Sequence, residues 1–328
     1  MSKIPTIKYT GKINEVPLGT SRMMSGGQGA YSFHSFEGQI PHRPLIALDL
    51  WDYDPGEDWP EAARAPYQGV MGDPGAWAAA CVEYGADLVT LHLKSSDPAG
   101  RDTGPAEALE NVGRVLEAVK VPVIVYGVGI EYKDKETLTA VSEKFVGRHL
   151  TLGPITDRTY RKIAPLVLAC GHTVIALSAT DLNLAQQLNI LLYNLGMPKD
   201  RILMDPTTAA LGYGMEYCYS VMERIQIGAL AVDDADLQQP MINFIGEEAW
   251  RVKEAGLSTD EYPELGQAQA RGVMLESAAA VSFLVAGSSV ISLRHPKSLK
   301  LVRSFIELMD TGDAAKAPGD FDIPITQL

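Results

Sequence analysis

Val174-Ile175-Ala176-Leu177-Ser178, followed by Asp181 with Leu184, Leu188, Leu191 and Leu195, then Gly196 and Pro198, then Ile202-Leu203-Met204-Asp205, decides the fold. A short, unbroken apolar run with a polar tip reads as a strand buried on both faces. Leucines three or four residues apart after an Asp read as a helix with its N-cap, and Gly followed by Pro stops it. A second run of the first kind then closes a strand–helix–strand unit. The same unit recurs in both directions. Upstream lie Leu45-Ile46-Ala47-Leu48-Asp49, Leu88-Val89-Thr90-Leu91-His92, Val123-Ile124-Val125-Tyr126-Gly127 and Leu150-Thr151-Leu152-Gly153; downstream lie Ile242-Asn243-Phe244-Ile245-Gly246 and Val290-Ile291-Ser292-Leu293-Arg294. Eight such units predict an α/β fold of the closed (β/α)₈ TIM-barrel type, with the binding face where the strands end.

The chain has 328 residues, against about 250 for a plain barrel, so a single barrel with additions accounts for it. The barrel is expected over 44–310, preceded by an N-terminal extension over 1–43 and followed by a polar, Pro-containing tail over 311–328. The extension alternates weakly from Ile4 to Val16 and reads as irregular or hairpin-containing. Its Ser25-Gly26-Gly27-Gln28-Gly29 run opens no helix, so it reads as a turn and not as a phosphate cradle. Local signals place the helices. Asp73 caps one with Pro74 at its first position, Pro105 opens the next, and a third is expected after Asp134. Two more are expected over about 157–170 and 215–228. After the seventh strand an extra helix over 247–255 and a Pro- and acid-containing loop precede a helix over about 267–286. The last helix starts at Pro296.

The net charge of -13 argues against nucleic acid as a partner, because phosphate binding needs clustered Lys and Arg. No apolar run approaches a membrane span of about 18 residues or more, nor does the start resemble a secretory signal. A cytoplasmic protein with no membrane contact is expected. Cys81, Cys170 and Cys218 form no CxxC pair and read as small buried hydrophobes. Three separated thiols do not make the four-thiolate set of an iron–sulfur cluster. The six His show no metal-ligand spacing.

The strand tips carry Asp49 and Asp52; His92, Lys94 and Ser95; Gly127 and Gly129; Gly153; Ser178, Thr180, Asp181 and Asn183; Asp205, Thr207 and Thr208; Gly246; and Arg294 with His295. This ring reads as rich in hydroxyls, amide and glycine and poor in acid–base pairs, which points to binding and assigns no catalytic residue. Lys94 reads as a salt-bridged or solvated lysine. Asp181 caps a helix whether or not it also binds. Asp205-Pro206-Thr207-Thr208 leading to Leu211-Gly212-Tyr213-Gly214 reads either as a turn with a helix cap or as a loop exposing backbone N–H groups to a flat ligand. His295 faces either a ligand or a carbonyl.

Several stretches together, in order, resemble one family. They are Phe33-His34-Ser35-Phe36-Glu37-Gly38, Glu83-Tyr84-Gly85-Ala86-Asp87-Leu88, Gln187-Leu188-Asn189-Ile190-Leu191, Asp205-Pro206 through Tyr217, Met222-Glu223-Arg224-Ile225, Glu248 through Ala255, Glu261-Tyr262-Pro263 and Arg294-His295-Pro296. The chain resembles the small subunit of the corrinoid iron–sulfur protein of the acetyl-CoA (Wood–Ljungdahl) pathway. The resemblance implies a barrel paired with a large subunit that carries a four-iron cluster and a corrinoid domain, with cobalamin over the barrel mouth. It implies a methyl carrier. The methyl group comes from methyltetrahydrofolate through a methyltransferase and goes to acetyl-CoA synthase, which is associated with carbon monoxide dehydrogenase. The cobalamin motif DxHxxG is absent, so no His is marked as a lower cobalt ligand.

Barrel-tip geometry and the family-like loops select Ser178, Thr180, Asn183, Asp205, Thr207, Thr208, Gly212, Tyr213, Gly246 and His295 as the corrin-facing set, with no metal ligand. The competing reading is a pterin-dependent methyltransferase, gripping its pterin with Asp49, Asn183, Asp205 and Asn243. A third is a scaffold whose residues touch no cofactor.

Overall fold

Eight parallel strands close into one barrel in the computed structural model, which describes residues 6–311. The chain begins with an antiparallel hairpin, β1 (Glu15–Leu18) and β2 (Met23–Gly26). The barrel opens with β3 (Leu45–Trp51), α1 (Glu61–Arg64), α2 (Pro74–Glu83), β4 (Leu88–His92) and α3 (Pro105–Ala118). It continues with β5 (Val123–Tyr126), α4 (Glu131–Lys144), β6 (Thr151–Ile155), α5 (Tyr160–Ala169), β7 (Thr173–Leu177) and α6 (Leu182–Asn194). Next come β8 (Ile202–Asp205), α7 (Met215–Leu230), β9 (Met241–Phe244) and two short helices, α8 (Ile245–Ala249) and α9 (Lys253–Gly256). The last elements are α10 (Ala268–Val285), β10 (Ser288–Leu293) and α11 (Pro296–Thr311). Strand order round the barrel is sequential, β10 closing on β3. The tail over 312–328 and the first five residues lie outside the described residues.

The hairpin explains the extension. Val16 and Leu18 insert among Leu45, Leu88, Ile124, Ile175, Leu203, Ile242 and Val290, which plugs the barrel where the strands begin. Gln28 fastens the plug by donating to Ser289 at 2.9 Å. Gly26 turns the chain at φ +88°, where a Cβ would lie 2.1 Å from the Asn14 carbonyl oxygen, so the glycine run is a structural turn. Above the plug the barrel interior turns polar, with Ser292 donating to Thr90 at 2.9 Å.

Local signals located the helices well, with instructive shifts. Asp73 accepts from Gly75 N (3.0 Å) and Asp181 from Asn183 N (2.8 Å) and Leu184 N (3.1 Å), as N-caps do. Asp134 was expected to precede α4, yet the helix already starts at Glu131. The Asp134 carboxylate instead accepts from Val128 N (2.8 Å) and Gly129 N (2.9 Å), clamping the β5–α4 loop from inside the helix. β6 extends to Ile155, so Gly153 is a buried strand residue and not a tip. β9 stops at Phe244, where α8 takes over, and the extra helix expected over 247–255 is two short ones. All three cysteines are buried.

Candidate functional site

At the strand ends the mouth divides into two halves of different chemistry. One half, over β3, β4, β9 and β10, is a filled charge cluster. Arg294 Nη2 donates to Asp49 Oδ2 at 2.9 Å and to Glu247 Oε2 at 2.9 Å, and Arg294 Nε reaches Asp49 Oδ1 at 3.2 Å. Lys94 takes the other Glu247 oxygen at 2.7 Å. The guanidinium carbon lies 3.8 Å from the Trp59 ring centre, a cation–π contact. Burial is the largest single influence on the Glu247 carboxyl and would raise it, but its cationic neighbours, Arg294 first and then Lys94, together outweigh burial and hold the group well below the usual carboxylate range.

Asp49, His92 and Glu247 place one ligand atom each within 4.8 Å of one another. The cation between the two carboxylates is the arginine itself. His92 Nε2 is 3.8 Å from Asp49 Oδ2 and has no hydrogen-bond partner. Burial pushes this ring down to about 3, so it is neutral. The expectation of a mouth poor in acid–base pairs is therefore corrected for this half. Asp49 and Arg294 lie 245 residues apart, and no local pattern announces their meeting. Lys94 is salt-bridged, as read.

The centre of the mouth is closed by rings. Tyr126 packs on Phe244 with centroids 4.3 Å apart, and His92 stands edge-on to both at 5.8 Å.

The other half, over β7 and β8, is open. Three non-glycine residues there adopt left-handed backbone: Ala179 (φ +46°), Thr180 (+60°) and Thr207 (+76°). Such residues cost about 1–3 kcal/mol each where the fold over-determines them, and they gather at ligand sites. The enforcing contacts are visible. Asp205 Oδ1 accepts from Thr207 N at 2.9 Å while Oδ2 accepts from Tyr126 Oη at 2.7 Å. Burial pushes Asp205 up to about 6, and the Tyr126 and Thr207 hydrogen bonds limit the rise. Asn243 Nδ2 donates to Thr207 O (3.4 Å) and Thr208 Oγ1 (3.3 Å), and Phe244 N donates to Thr208 Oγ1 (3.0 Å). The clamped loop leaves Thr207 Oγ1 and Asn243 Oδ1 buried without partners.

Beside Thr207 opens a groove of about 590 Å³, walled by Thr180, Thr207, Ala209, Tyr213, Tyr217 and Arg224, among others. Gly212 (φ +81°) and Gly214 (φ +102°) turn the loop so that Tyr213 stands 56% exposed at its lip. The Tyr213 hydroxyl donates to Glu254 Oε2 at 2.8 Å, tying this lip to α9.

The ten sequence-selected residues thus separate. Thr180, Thr207, Gly212 and Tyr213 gather round the groove, with Thr208 and Asp205 behind them as part of the clamp. Asn183 is exposed in the first turn of α6. Ser178 is buried and donates to Asp205 O at 3.4 Å. Gly246 is buried against β10, where a Cβ would meet Arg294 N at 2.6 Å. His295 is 1% exposed and stacked on Trp250. Its Nδ1 accepts from Lys297 N at 3.0 Å, and burial pushes it down to about 4. The backbone carbonyl that the sequence offered as one partner of His295 is not the group it meets: besides the Lys297 amide, its other ring nitrogen lies 3.4 Å from Gln269 Nε2. Tyr126 and Asn243 hold this loop through Asp205, Thr207 and Thr208, and the corrin-facing set lacked both. Their alternation along apolar strands carried the only signal, since each looks like an ordinary strand residue until the loop above it is placed.

Comparison with solved structures identifies the same architecture in dihydropteroate synthases. The Coxiella burnetii enzyme in complex with pteroic acid has a TM-score of 0.55 at 14% identity, over 91% of this chain and 98% of that one. The Xanthomonas albilineans enzyme in complex with 7,8-dihydropteroate has a TM-score of 0.54 at 14% identity, over 87% and 99%. At that identity the likeness is one of fold. Sequence relatives are much nearer. The acetyl-CoA decarbonylase/synthase complex subunit delta of Archaeoglobus fulgidus is 37% identical over 311 residues, covering 90% of this chain and 68% of that protein. The subunit delta of Methanothermobacter thermautotrophicus is 35% identical, covering 92% and 77%. The family model for the CO dehydrogenase/acetyl-CoA synthase delta subunit matches residues 15–295, the span from the hairpin plug to the end of the charge cluster, and the chain therefore belongs to that family, the small subunits of the corrinoid iron–sulfur protein.

Proposed function

We propose that this chain is the non-catalytic subunit of a methyl carrier, a barrel whose open half-mouth covers a cobalamin held at the interface with a large, four-iron subunit. When bound, the cobalamin supplies the centre that accepts a methyl group, from methyltetrahydrofolate by way of a methyltransferase, and yields it to acetyl-CoA synthase. The observation that carries this reading is the convergence at one groove of three left-handed non-glycine residues and the partnerless Thr207 Oγ1. A corrin is rimmed with amide side chains, which donate and accept. Thr207 Oγ1 and Asn243 Oδ1 are buried atoms that lack such partners. Asp205, Asn243 and Tyr126 hold the loop in position, Gly212 and Gly214 let it pass close to a flat ligand, and the Tyr213 and Tyr217 rings shield the lip from water.

Neither candidate histidine is free to reach cobalt. His295 is enclosed under Trp250 and His92 lies beneath Tyr126 and Phe244. This supports a corrinoid with no imidazole from this chain. The pterin-enzyme reading is weakened by the same geometry, since Asp49 is bound to Arg294, Asp205 to Tyr126 and Asn243 to Thr208. The test is Thr207→Leu with Thr208→Leu in the assembled two-subunit complex. Cobalt occupancy is expected to fall or the visible spectrum to shift, and an unchanged content and spectrum would remove this loop from the site. Tight tetrahydrofolate binding by the isolated chain would favour the enzyme instead.

A further inference from the structure

The outer flank of the barrel over α6, α7 and α10 is unlike the rest of the surface. Eleven of the sixteen exposed large hydrophobic side chains among the described residues fall between residues 190 and 285, so the apolar exposure is local and not the ordinary scatter of a protein surface. α6 contains no charged residue. α10 contains none after Arg271 except Glu276, which is fully buried and accepts from the Arg294 and His295 amides. What α10 shows to solvent is Met274 (46% exposed), Ala278 and Val285 (43%). The outer faces of α3 and α4, by contrast, carry Glu110, Arg114, Lys135 and Glu143.

Arg271 does not break the strip, because its guanidinium is spent on the carbonyls of Glu254, Leu257, Leu265 and Gly266. Along α10 runs a groove of about 380 Å³, lined by Leu211, Leu265, Ala270, Met274, Leu275 and Ala278, among others.

We propose that this flank, centred on the outer face of α10, is the surface on which the large subunit packs, and that the large subunit meets it with an uncharged, apolar face. The inference rests on the heterodimer reading given above and adds where the partner sits. Three arguments select the occupant. The first is charge. Residues 52–117 hold a net -9 of the chain's -13, most of it in the loops that follow β3 and β4, while α6 carries no charge, α10 only Arg271 and Glu276, and α7 between them Glu216, Glu223 and Arg224. A second copy would bring another -13 against the first, whereas a partner with an apolar patch meets no repulsion on this flank. The second is area. α10 is about 27 Å long, and three helices at barrel spacing present roughly 600 Å², near the roughly 800 Å² per partner of a stable interface. The third is continuity. The strip runs up through Leu211 to Tyr213 and Tyr217 at the lip of the open half-mouth, so a subunit seated on it also reaches the groove.

The test uses the full chain co-expressed with the large corrinoid iron–sulfur subunit. Met274→Glu with Val285→Glu puts two carboxylates where the partner would bury them. As both positions are exposed, the isolated variant should melt like wild type. Tyr132→Glu with Val146→Glu, at positions 54% and 62% exposed on the far side, is the matched control. Pairing measured by sedimentation should weaken at least about 100-fold in the first variant and stay within about 3-fold in the control. Hydrogen exchange on the wild-type complex should show the α10 amides protected on pairing, which needs no variant. If the first variant pairs as wild type does and α10 is not protected, the inference fails and the heterodimer stands. If the wild-type chain does not pair at all, the heterodimer reading falls and takes this inference with it. If the isolated chain self-associates and Met274→Glu abolishes it, the occupant is a second copy and the proposal is overturned.

Discussion

Arg294→Met tests the charge cluster with a side chain of similar length and no charge. In the wild type the guanidinium is 1% exposed, bonded to Asp49 and Glu247 and stacked on Trp59. Without it Glu247 keeps Lys94, but Asp49 is left fully buried with only a neutral His92 at 3.8 Å. Removing one partner of a buried pair costs about 3–5 kcal/mol. For a chain of this size that is a fall in melting temperature of about 4–7 °C.

The pH dependence gives a sharper signature. Burial pushes Asp49 up to about 6 even against Arg294. A carboxyl whose folded value lies above its unfolded value stabilises below the unfolded value, and that stability is lost as pH rises through the folded value. In the wild type the loss is nearly complete by about pH 7. In Arg294→Met the Asp49 value rises further, so the loss continues between about pH 7 and 9. Glu247, held low, acts in the opposite sense and only at acid pH, outside this window. The variant's deficit should therefore be larger at pH 8.5 than at pH 6, measured by urea unfolding at both values. Asp49→Asn in the same background should remove most of the difference. A loss below about 1 kcal/mol at pH 8.5, or an equal loss at both pH values, would refute the assignment of this cluster as a buried, mutually compensated set.

Three other outcomes are expected. Asp181→Ala should cost about 1 kcal/mol in a thermal or urea melt, because it removes the side-chain acceptor of two α6 amides. Gly246→Ala should cost about 1–3 kcal/mol, since its Cβ would press on the β10 backbone at 2.6 Å; a neutral result would mean that α8 can shift. Electron paramagnetic resonance of the cobalt(II) form of the assembled complex should show no nitrogen splitting from an axial imidazole, in the wild type and in His295→Ala alike. A splitting lost in the variant would place His295 on the metal and contradict its enclosure under Trp250.

Sequence alone determined what depends on neighbours along the chain. Each strand is short and apolar because it is buried on both faces, and the helices space apolar residues three or four apart, so the barrel was legible from periodicity, although α6 buries Ala185, Leu188, Asn189 and Leu192 and leaves Leu195 exposed. Caps made of adjacent residues, such as Asp73 and Asp181, were legible too, whereas the extension was left as either irregular or hairpin-containing. Tertiary structure decided whatever joins distant segments. Asp49 meets Arg294 across 245 residues, and Lys94 meets Glu247 across 153. Tyr126 reaches Asp205 across 79, and Asn243 reaches Thr208 across 35. Closing the barrel brings these strand ends together, and no pattern in any one strand records which tip will face which. That is why one half of the mouth, read as poor in acid–base pairs, is a cluster of paired charges. For the same reason His295, visible in sequence only as a polar residue before Pro296, proved to be packed beneath a tryptophan 45 residues away.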